Sequence, residues 1–254
     1  QRWSNFQLYF LRSTYFKSKK MKIALLGYGK MGQVIERIAL ERGHEIVLKK
    51  DEFNTYEGLE KADVAIDFSV PAAAVSNISA SFNNNVPVVS GTTGWLEHYD
   101  EMIALCKEKN GGFISSSNFS LGVNLFFELN SYLSKIMAPY DSYKVSMEEI
   151  HHIHKLDAPS GTAITLAEGV MEHSNYSKWT MDASPKENEL HIEAIRTGEV
   201  PGTHTVTYNS PIDAIEIKHT AHNREGFALG AVIAAEWLAG KQGVFTMKDV
   251  LNFK

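Results

Sequence analysis

Residues 23–32 read Ile23-Ala24-Leu25-Leu26-Gly27-Tyr28-Gly29-Lys30-Met31-Gly32. A short apolar run ends in three spaced glycines, and Met31, Ile35, Ile38 and Ala39 then recur at helical spacing until Gly43. This is a strand, a tight turn and a helix start in the order that the G-x-G-x-x-G dinucleotide turn requires. Gly27 permits the turn, Gly29 lets the backbone approach a pyrophosphate, and Gly32 lets helix pack on strand. The helix N-terminus then offers N–H groups and a positive dipole end to the phosphates. Tyr28, Lys30 and Met31 fill the same loop, and nucleotide binding is its expected role.

Strand and helix patterns alternate from there. Glu45–Leu48, Val64–Phe68, Val86–Val89 and Phe113–Ser116 read as strands, with helices near Ala72–Phe82 and Leu96–Lys109 between them. That alternation predicts a parallel sheet with right-handed crossovers. Asp51 follows the second strand about 20 residues past the glycines, where a carboxylate accepts from ribose hydroxyls. Lys49 and Lys50 beside it equally suit a 2′-phosphate, so NADH and NADPH both remain open. Gly91-Thr92-Thr93-Gly94 and Ser116-Ser117-Asn118-Phe119 follow later strand ends. There they are expected to face a nicotinamide, in the crevice at the carboxyl edge of an open parallel sheet.

After residue 120 the rhythm changes. Leu121–Met137 predicts a long helix, Tyr143–His151 a strand, and 160–173 a second helix. Residues 174–190 are polar and read as loop. Strands at His191–Arg196, His204–Tyr208 and Ala214–His219, broken by Pro201-Gly202 and Asn209-Ser210-Pro211, carry antiparallel punctuation. Phe227–Leu238 is a last apolar helix. The fold class is therefore α/β, a parallel dinucleotide-type domain followed by a mixed domain rich in antiparallel strands. The expected boundaries are 21–120 for the dinucleotide-binding domain and 121–224 for the second domain. Residues 1–20 read as a leader outside the fold.

Composition limits the function. The 254 residues are 44% hydrophobic and 22% charged, the balance of a globular protein rather than a disordered or coiled-coil chain. The apolar runs fall far short of a membrane span. The single cysteine, Cys106, forms no intrachain disulfide and fits a reducing compartment, so a cytoplasmic location is expected. Five of the basic residues lie in 1–20, which has no acidic ones; the rest of the chain holds 20 basic residues against 30 acidic. Neither nucleic acid nor a membrane is an expected partner.

The densest chemistry is Glu149-Ile150-His151-His152-Ile153-His154-Lys155-Leu156-Asp157-Ala158-Pro159-Ser160-Gly161-Thr162-Ala163, with three of the ten histidines within four residues. A metal site needs three or four convergent ligands, and on a strand His151 points away from His152 and His154; no metal is expected. Histidines on a surface loop are the bland alternative. The favoured reading is a general-acid and anion site. Histidine moves protons near neutral pH, Lys155 adds a cation, and Ser160, Gly161 and Thr162 open a helix N-terminus. No Glu or Gln stands three residues after Ser160 to complete a capping box, so a bound carboxylate is expected to serve there.

This string resembles the signature E-x-H-H-x-x-K-x-D-A-P-S-G-T-A of the 4-hydroxy-tetrahydrodipicolinate (dihydrodipicolinate) reductases of lysine and diaminopimelate synthesis. Gly91–Gly94, Asn118-Phe119-Ser120 and Gly198–His204 are similar to family patterns as well, and the likeness runs from Met21 to the C-terminus. The resemblance implies NAD(P)H-dependent reduction of a cyclic dicarboxylate. It implies His151 as acid/base and Lys155 as proton donor, with His152, Lys155, Ser160, Gly161 and Thr162 holding the substrate carboxylates. It also implies a Rossmann-type parallel sheet domain plus an α+β substrate domain with an open mixed sheet, residues 121–224 being the substrate-binding and oligomerisation domain, a return of residues 225–254 to the first domain, and a homotetramer. Some members carry an arginine where this chain has Val70, and a Glu-Arg pair near Lys50-Asp51, which leaves cofactor preference open. The alternatives are another two-domain Rossmann oxidoreductase, which would need a different substrate cluster, and a non-catalytic NAD(P) sensor.

Overall fold

The computed structural model describes residues 19–253. The expectation of a leader concerns a stretch of which residues 1–18 lie outside the described residues. The element order is β1 (Lys22–Leu26), α1 (Lys30–Glu41), β2 (Glu45–Lys50), β3 (Val64–Asp67), α2 (Pro71–Asn83), β4 (Val88–Ser90), α3 (Tyr99–Glu108) and β5 (Gly112–Ser115). It continues with α4 (Leu121–Met137), β6 (Lys144–His151), α5 (Gly161–Met171), β7 (Lys178–Thr180), β8 (Glu189–Arg196), β9 (Thr203–Asn209) and β10 (Ala214–Thr220). Then come α6 (Glu225–Leu238), β11 (Gly243–Phe245) and α7 (Met247–Leu251). The described residues form two compact units, one of residues 19–119 with 227–253 and one of residues 120–226.

The first unit holds a six-stranded sheet in the order β11-β5-β4-β3-β1-β2, every pair parallel. Its inner strands β1, β3, β4 and β5 are buried on both faces, which is why they read as continuous apolar runs. Ile23, Leu25 and Ile66 pack with Ile35 and Ile38 of α1 and Ala231, Val232 and Ala235 of α6. Ala24, Leu26 and Val88 face the other way, against Ile78 and Phe82 of α2 and Met102 and Cys106 of α3. The strand order reverses between β1 and β3, and in such sheets ligands bind at the carboxyl ends beside that switch. A side-chain clamp holds α6 in this unit. Arg42 donates to both oxygens of Glu236 at 2.6 and 2.7 Å, and Nε2 of the buried His44 stands 2.7 Å from the same carboxylate.

The second unit has the mixed sheet β10-β9-β6-β8-β7. One face is covered by α4 and α5 through Phe126, Leu133, Leu166 and Val170 on Met147, Leu190, Ile192 and Val206. The sheet is mixed, as expected, and the structure fixes its pairing. Strand β9 is antiparallel to both β10 and β6, whereas β8 pairs with neither β9 nor β10 and runs parallel to both β6 and β7. Helix α5 lies in the crossover from β6, and such a connection is what parallel pairing requires. Two short strands escaped the sequence pattern. β7 falls in the stretch read as polar loop, and β11 follows Gly240. Three residues are too few for a period to show. The helix expected from Leu96 splits into a 3-10 turn at Leu96–His98 and α3.

Candidate active site

In the first unit the glycine turn has the geometry of a phosphate cradle. Gly27 has φ +101°, and a Cβ there would lie 2.2 Å from the carbonyl oxygen of Phe68, so both conformation and space demand glycine. A Cβ on Gly32 would meet the carbonyl of Gly27 at 2.3 Å, whereas one on Gly29 would meet nothing within 4 Å. Gly29 is thus the exposed lip of the turn. It N-caps α1 without a side-chain cap, and no acidic residue stands in the first turn of that helix. An anion fits here, on backbone N–H groups and the helix dipole. Lys30 is exposed at this end, and Tyr28 and Met31 are half-buried beside it.

The charged residues at the end of β2 are already engaged. Nζ of Lys49 stands 2.6 Å from Glu36, bonds the Tyr28 hydroxyl at 3.3 Å and lies over its ring. The hydrogen bond to Lys49 leads the effects that hold the Glu36 carboxyl below its usual range. Asp51 uses Oδ1 to accept the N–H groups of Phe53 and Asn54 at 2.9 and 3.0 Å, closing its own turn. Nζ of Lys50 donates to the Asp51 carbonyl and lies over the Tyr56 ring. Oδ2 of Asp51 has no role in that turn.

The loops after β3 and β4 are organised by a buried carboxylate that the sequence reading missed. Asp67 accepts from Ser69 Oγ, Asn77 Nδ2, Ser90 Oγ and Thr92 Oγ1 at 2.7–2.8 Å. Burial pushes this carboxyl up, against the four donors that pull it down. Thr92 is therefore committed inward, and its hydroxyl also takes the Ser69 N–H. Gly91 leaves room for the Phe68 ring, Thr93 is exposed, and Phe119 is buried against Phe68. Ser116 Oγ donates to the Asn118 carbonyl at 2.8 Å, Asn118 is buried and Ser117 is exposed. Of these residues Thr93 and Ser117 present side chains to solvent; Thr92 and Phe119 shape the loops from inside.

In the second unit β6 ends at His151. His152 and His154 lie in the turn beyond it, so the strand alternation expected of the three histidines does not apply. His151 is buried with Nδ1 2.7 Å from Oε2 of Glu149, and its ring edge meets His204 at a centroid distance of 5.1 Å. Glu149 is fully buried. Its Oε1 accepts from the backbone N–H of Ser160 at 3.0 Å and from Nη2 of Arg196 at 2.7 Å. Burial alone would raise the Glu149 pKa; the contacts with His151, Ser160 and Arg196 outweigh it and hold this group far below the usual carboxylate range. Burial, with the neighbouring His151, pushes His204 down to about 3, so His204 is neutral near neutral pH. One nitrogen or oxygen atom from each of Glu149, His151 and His204 lies within 4.8 Å of the other two. Arg196 already supplies the positive charge that the Glu149 carboxylate needs.

The sheet register explains the cluster. Glu149 pairs with His204 across β6 and β9, and His151 pairs with Arg196 across β6 and β8. Glu149 and His204 lay in stretches already singled out, yet their part in the site was not legible. Arg196 belongs to no local motif, and only the pairing brings it in.

The helix expected near Ser160 begins there, and the anticipated vacancy in its cap is filled by the protein. Ser160 Oγ accepts from Ala163 N at 3.2 Å and lies 3.1 Å from Nε2 of His204. Its N–H is taken by Glu149. Ser160 therefore builds the rim, while Gly161 is exposed and a Cβ there would meet nothing within 4 Å. Thr162 follows, half-buried. Lys155 is partly buried and bonds both oxygens of Asp157 at 2.7 Å. For Asp157 the raising effect of burial is outweighed by this lysine, which keeps the carboxyl low. His152 is half-buried, 6.1 Å from the ring of His154, which is exposed and paired with Glu199.

Comparison with known proteins follows the same division. Residues 21–119 match the family model described as "Dihydrodipicolinate reductase, N-terminus" and residues 122–251 the one described as "Dihydrodipicolinate reductase, C-terminus". A 4-hydroxy-tetrahydrodipicolinate reductase of Christiangramia forsetii is 56% identical over 235 residues, covering 91% of this chain and 98% of the relative. One from Archaeoglobus fulgidus is 36% identical, covering 91% of this chain and 100% of the relative. Among solved structures, a dipicolinate-bound dihydrodipicolinate reductase from Paenisporosarcina sp. TG-14 superposes with a TM-score of 0.69 at 21% identity. It covers 90% of this chain and 98% of its own, a likeness of fold.

Proposed function

The chain belongs to the dihydrodipicolinate reductase family, and on that premise we propose how its residues divide the work. The reaction is the NAD(P)H-dependent reduction of 4-hydroxy-tetrahydrodipicolinate in lysine and diaminopimelate synthesis, with the 4-hydroxyl lost as water. The turn Gly27–Gly32 holds the pyrophosphate on the α1 N-terminus, and Thr93 and Ser117 lie on the loops that border the nicotinamide. When bound, the nicotinamide supplies the hydride.

The remaining work is done by side chains of the second unit. Gly161 and Thr162 at the α5 N-terminus receive one substrate carboxylate, where the dipole favours an anion. Lys155 leaves Asp157 for the other carboxylate and stands beside the ring as a cationic acid; His152 flanks it. His151 holds and returns the proton that must follow hydride addition to the conjugated imine. The observation that carries this reading is the single carboxylate of Glu149, which joins His151 to the N-terminus of α5. It brings an acid/base group and an anion site together.

We further propose a cytoplasmic homotetramer without nucleic-acid or membrane partners. In its support, α4 leaves Leu125, Leu129, Tyr132 and Ile136 exposed in an apolar stripe, and β10 offers an open sheet edge. No helix among the described residues is long and apolar enough to cross a membrane.

The test is consumption of NADH and NADPH with freshly generated substrate, followed by the fall in nicotinamide absorbance. Lys155→Ala is expected to lower kcat by about 10²- to 10⁴-fold with cofactor binding retained. Near-normal turnover in that variant overturns the assigned role.

A further inference from the structure

The two oxygens of Glu149 meet different kinds of partner. Oε1 receives two obligatory donors, the Ser160 N–H and the Arg196 guanidinium. Neither can act as an acceptor. Oε2 lies 2.7 Å from Nδ1 of His151, in a contact too bent for a full hydrogen bond, with Nε2 of His204 at 3.7 Å, and neither Oε2 nor Nδ1 has another hydrogen-bond partner among the described residues. An ionised carboxylate offers only lone pairs, and two lone pairs held 2.7 Å apart in a buried site repel, so the ring nitrogen beside it is the one that carries the proton. His204 does not compete as a cation. Ser160 Oγ already accepts from Ala163 N, and its O–H is therefore directed to Nε2 of a neutral His204.

We propose that Glu149 is a positioning residue that sets the tautomer of His151, with Nδ1 protonated toward the carboxylate and Nε2 reserved for proton exchange with the reacting ring. This rests on the reading of His151 as the acid/base group. In the acid form both ring nitrogens are protonated. The Nε2–H bond breaks, its electron pair stays on Nε2, the proton forms a new bond on the reduced substrate, and the ring returns to its neutral Nδ1–H form. The same carboxylate holds the N-terminal N–H of the anion-binding helix. A substrate carboxylate seated there and the histidine that protonates the ring are thereby aligned by one side chain.

Glu149→Gln is the informative variant, made in the full chain. The two donors on Oε1 retain the amide oxygen, which turns the amide NH₂ toward His151. Nδ1 must then accept, and the proton moves to Nε2. The expected result is a loss of kcat of about 10²- to 10⁴-fold, an unchanged Kd for NADPH, and a switch of the His151 ¹⁵N resonances to the Nε2–H pattern. Turnover within about threefold of the parent overturns the proposal. So does an Nε2–H neutral form of His151 in the parent protein, a measurement that stands even if the variant fails to fold. The underlying reading fails separately. If His151→Gln retains turnover, His151 is not the acid/base group, whatever its tautomer.

Discussion

Gly202 lies against His151 so closely that a Cβ built on it would stand 3.0 Å from Nε2 of the imidazole and 3.3 Å from Cδ2. Its φ of +153° also lies in the region that L side chains rarely adopt. Glycine is required here twice over, by conformation and by space. The reserved edge of the imidazole is bounded by backbone.

Gly202→Ala is therefore expected to displace the ring. A shift near 1 Å at an acid/base group costs about 10²-fold. The expectation is a kcat reduced by roughly that factor with the affinity for NADPH unchanged, measured by steady-state kinetics and by titration of nicotinamide fluorescence. A variant with parental kcat would show that the ring tolerates the displacement.

Acid stability should report the buried cluster. His204 is held neutral in the folded protein, at about 3, while its unfolded pKa is near the ordinary 6.5. As pH falls below about 6.5 the unfolded chain binds a proton that the folded chain refuses, so stability is lost toward pH 3. The slope is about 1.4 kcal/mol per pH unit for one group. Glu149 adds to this from below about 4.5, because its folded pKa is lowered: its stabilisation is present above the unfolded value and lost in acid. Urea unfolding between pH 7 and pH 5 should show stability falling in the parent. His204→Asn should flatten that first segment. An equally steep variant would assign the acid sensitivity to other groups.

The clamp at Glu236 makes a prediction for the first unit. Glu236 neutralises Arg42 and faces His44 in a site where the side chains are 6%, 11% and 0% exposed. Removing one partner of a buried pair strands the other. Glu236→Ala should cost about 3–5 kcal/mol, read by chemical denaturation. Glu236→Gln, which keeps an acceptor for one donor, should cost less. A loss under 1 kcal/mol in the alanine variant would mean that α6 is held by its alanine-rich packing alone.

Much of this molecule is legible from local patterns because local physics produces them. The strand, turn and helix at residues 23–41 follow from apolar periodicity and three glycines. Each glycine has its own steric reason, and the reasons at Gly27 and Gly32 reappear as distances to single carbonyl oxygens. The mixed sheet was also foreseen, as was the start of α5 at Ser160. The neighbours of β8 were not, since a strand's own sequence carries little information on which strand it joins.

The amino-acid sequence by itself determined the dinucleotide-type unit, the long chemistry-bearing string and the family. All of these are carried by residues within one element or one turn of each other. Only the tertiary structure decided who serves whom in the site. Arg196 reaches Glu149 across a gap of 47 residues, and His204 reaches Ser160 across 44. Asp67 gathers the end of β4 and the loops after β3 and β4 at one edge of a sheet. Those partnerships depend on strand register, and register is set when alternate side chains are buried on the sheet faces of the folded unit. The vacancy expected at the α5 cap shows the difference. Local spacing found no carboxylate for it, and the fold supplied Glu149 from the neighbouring strand.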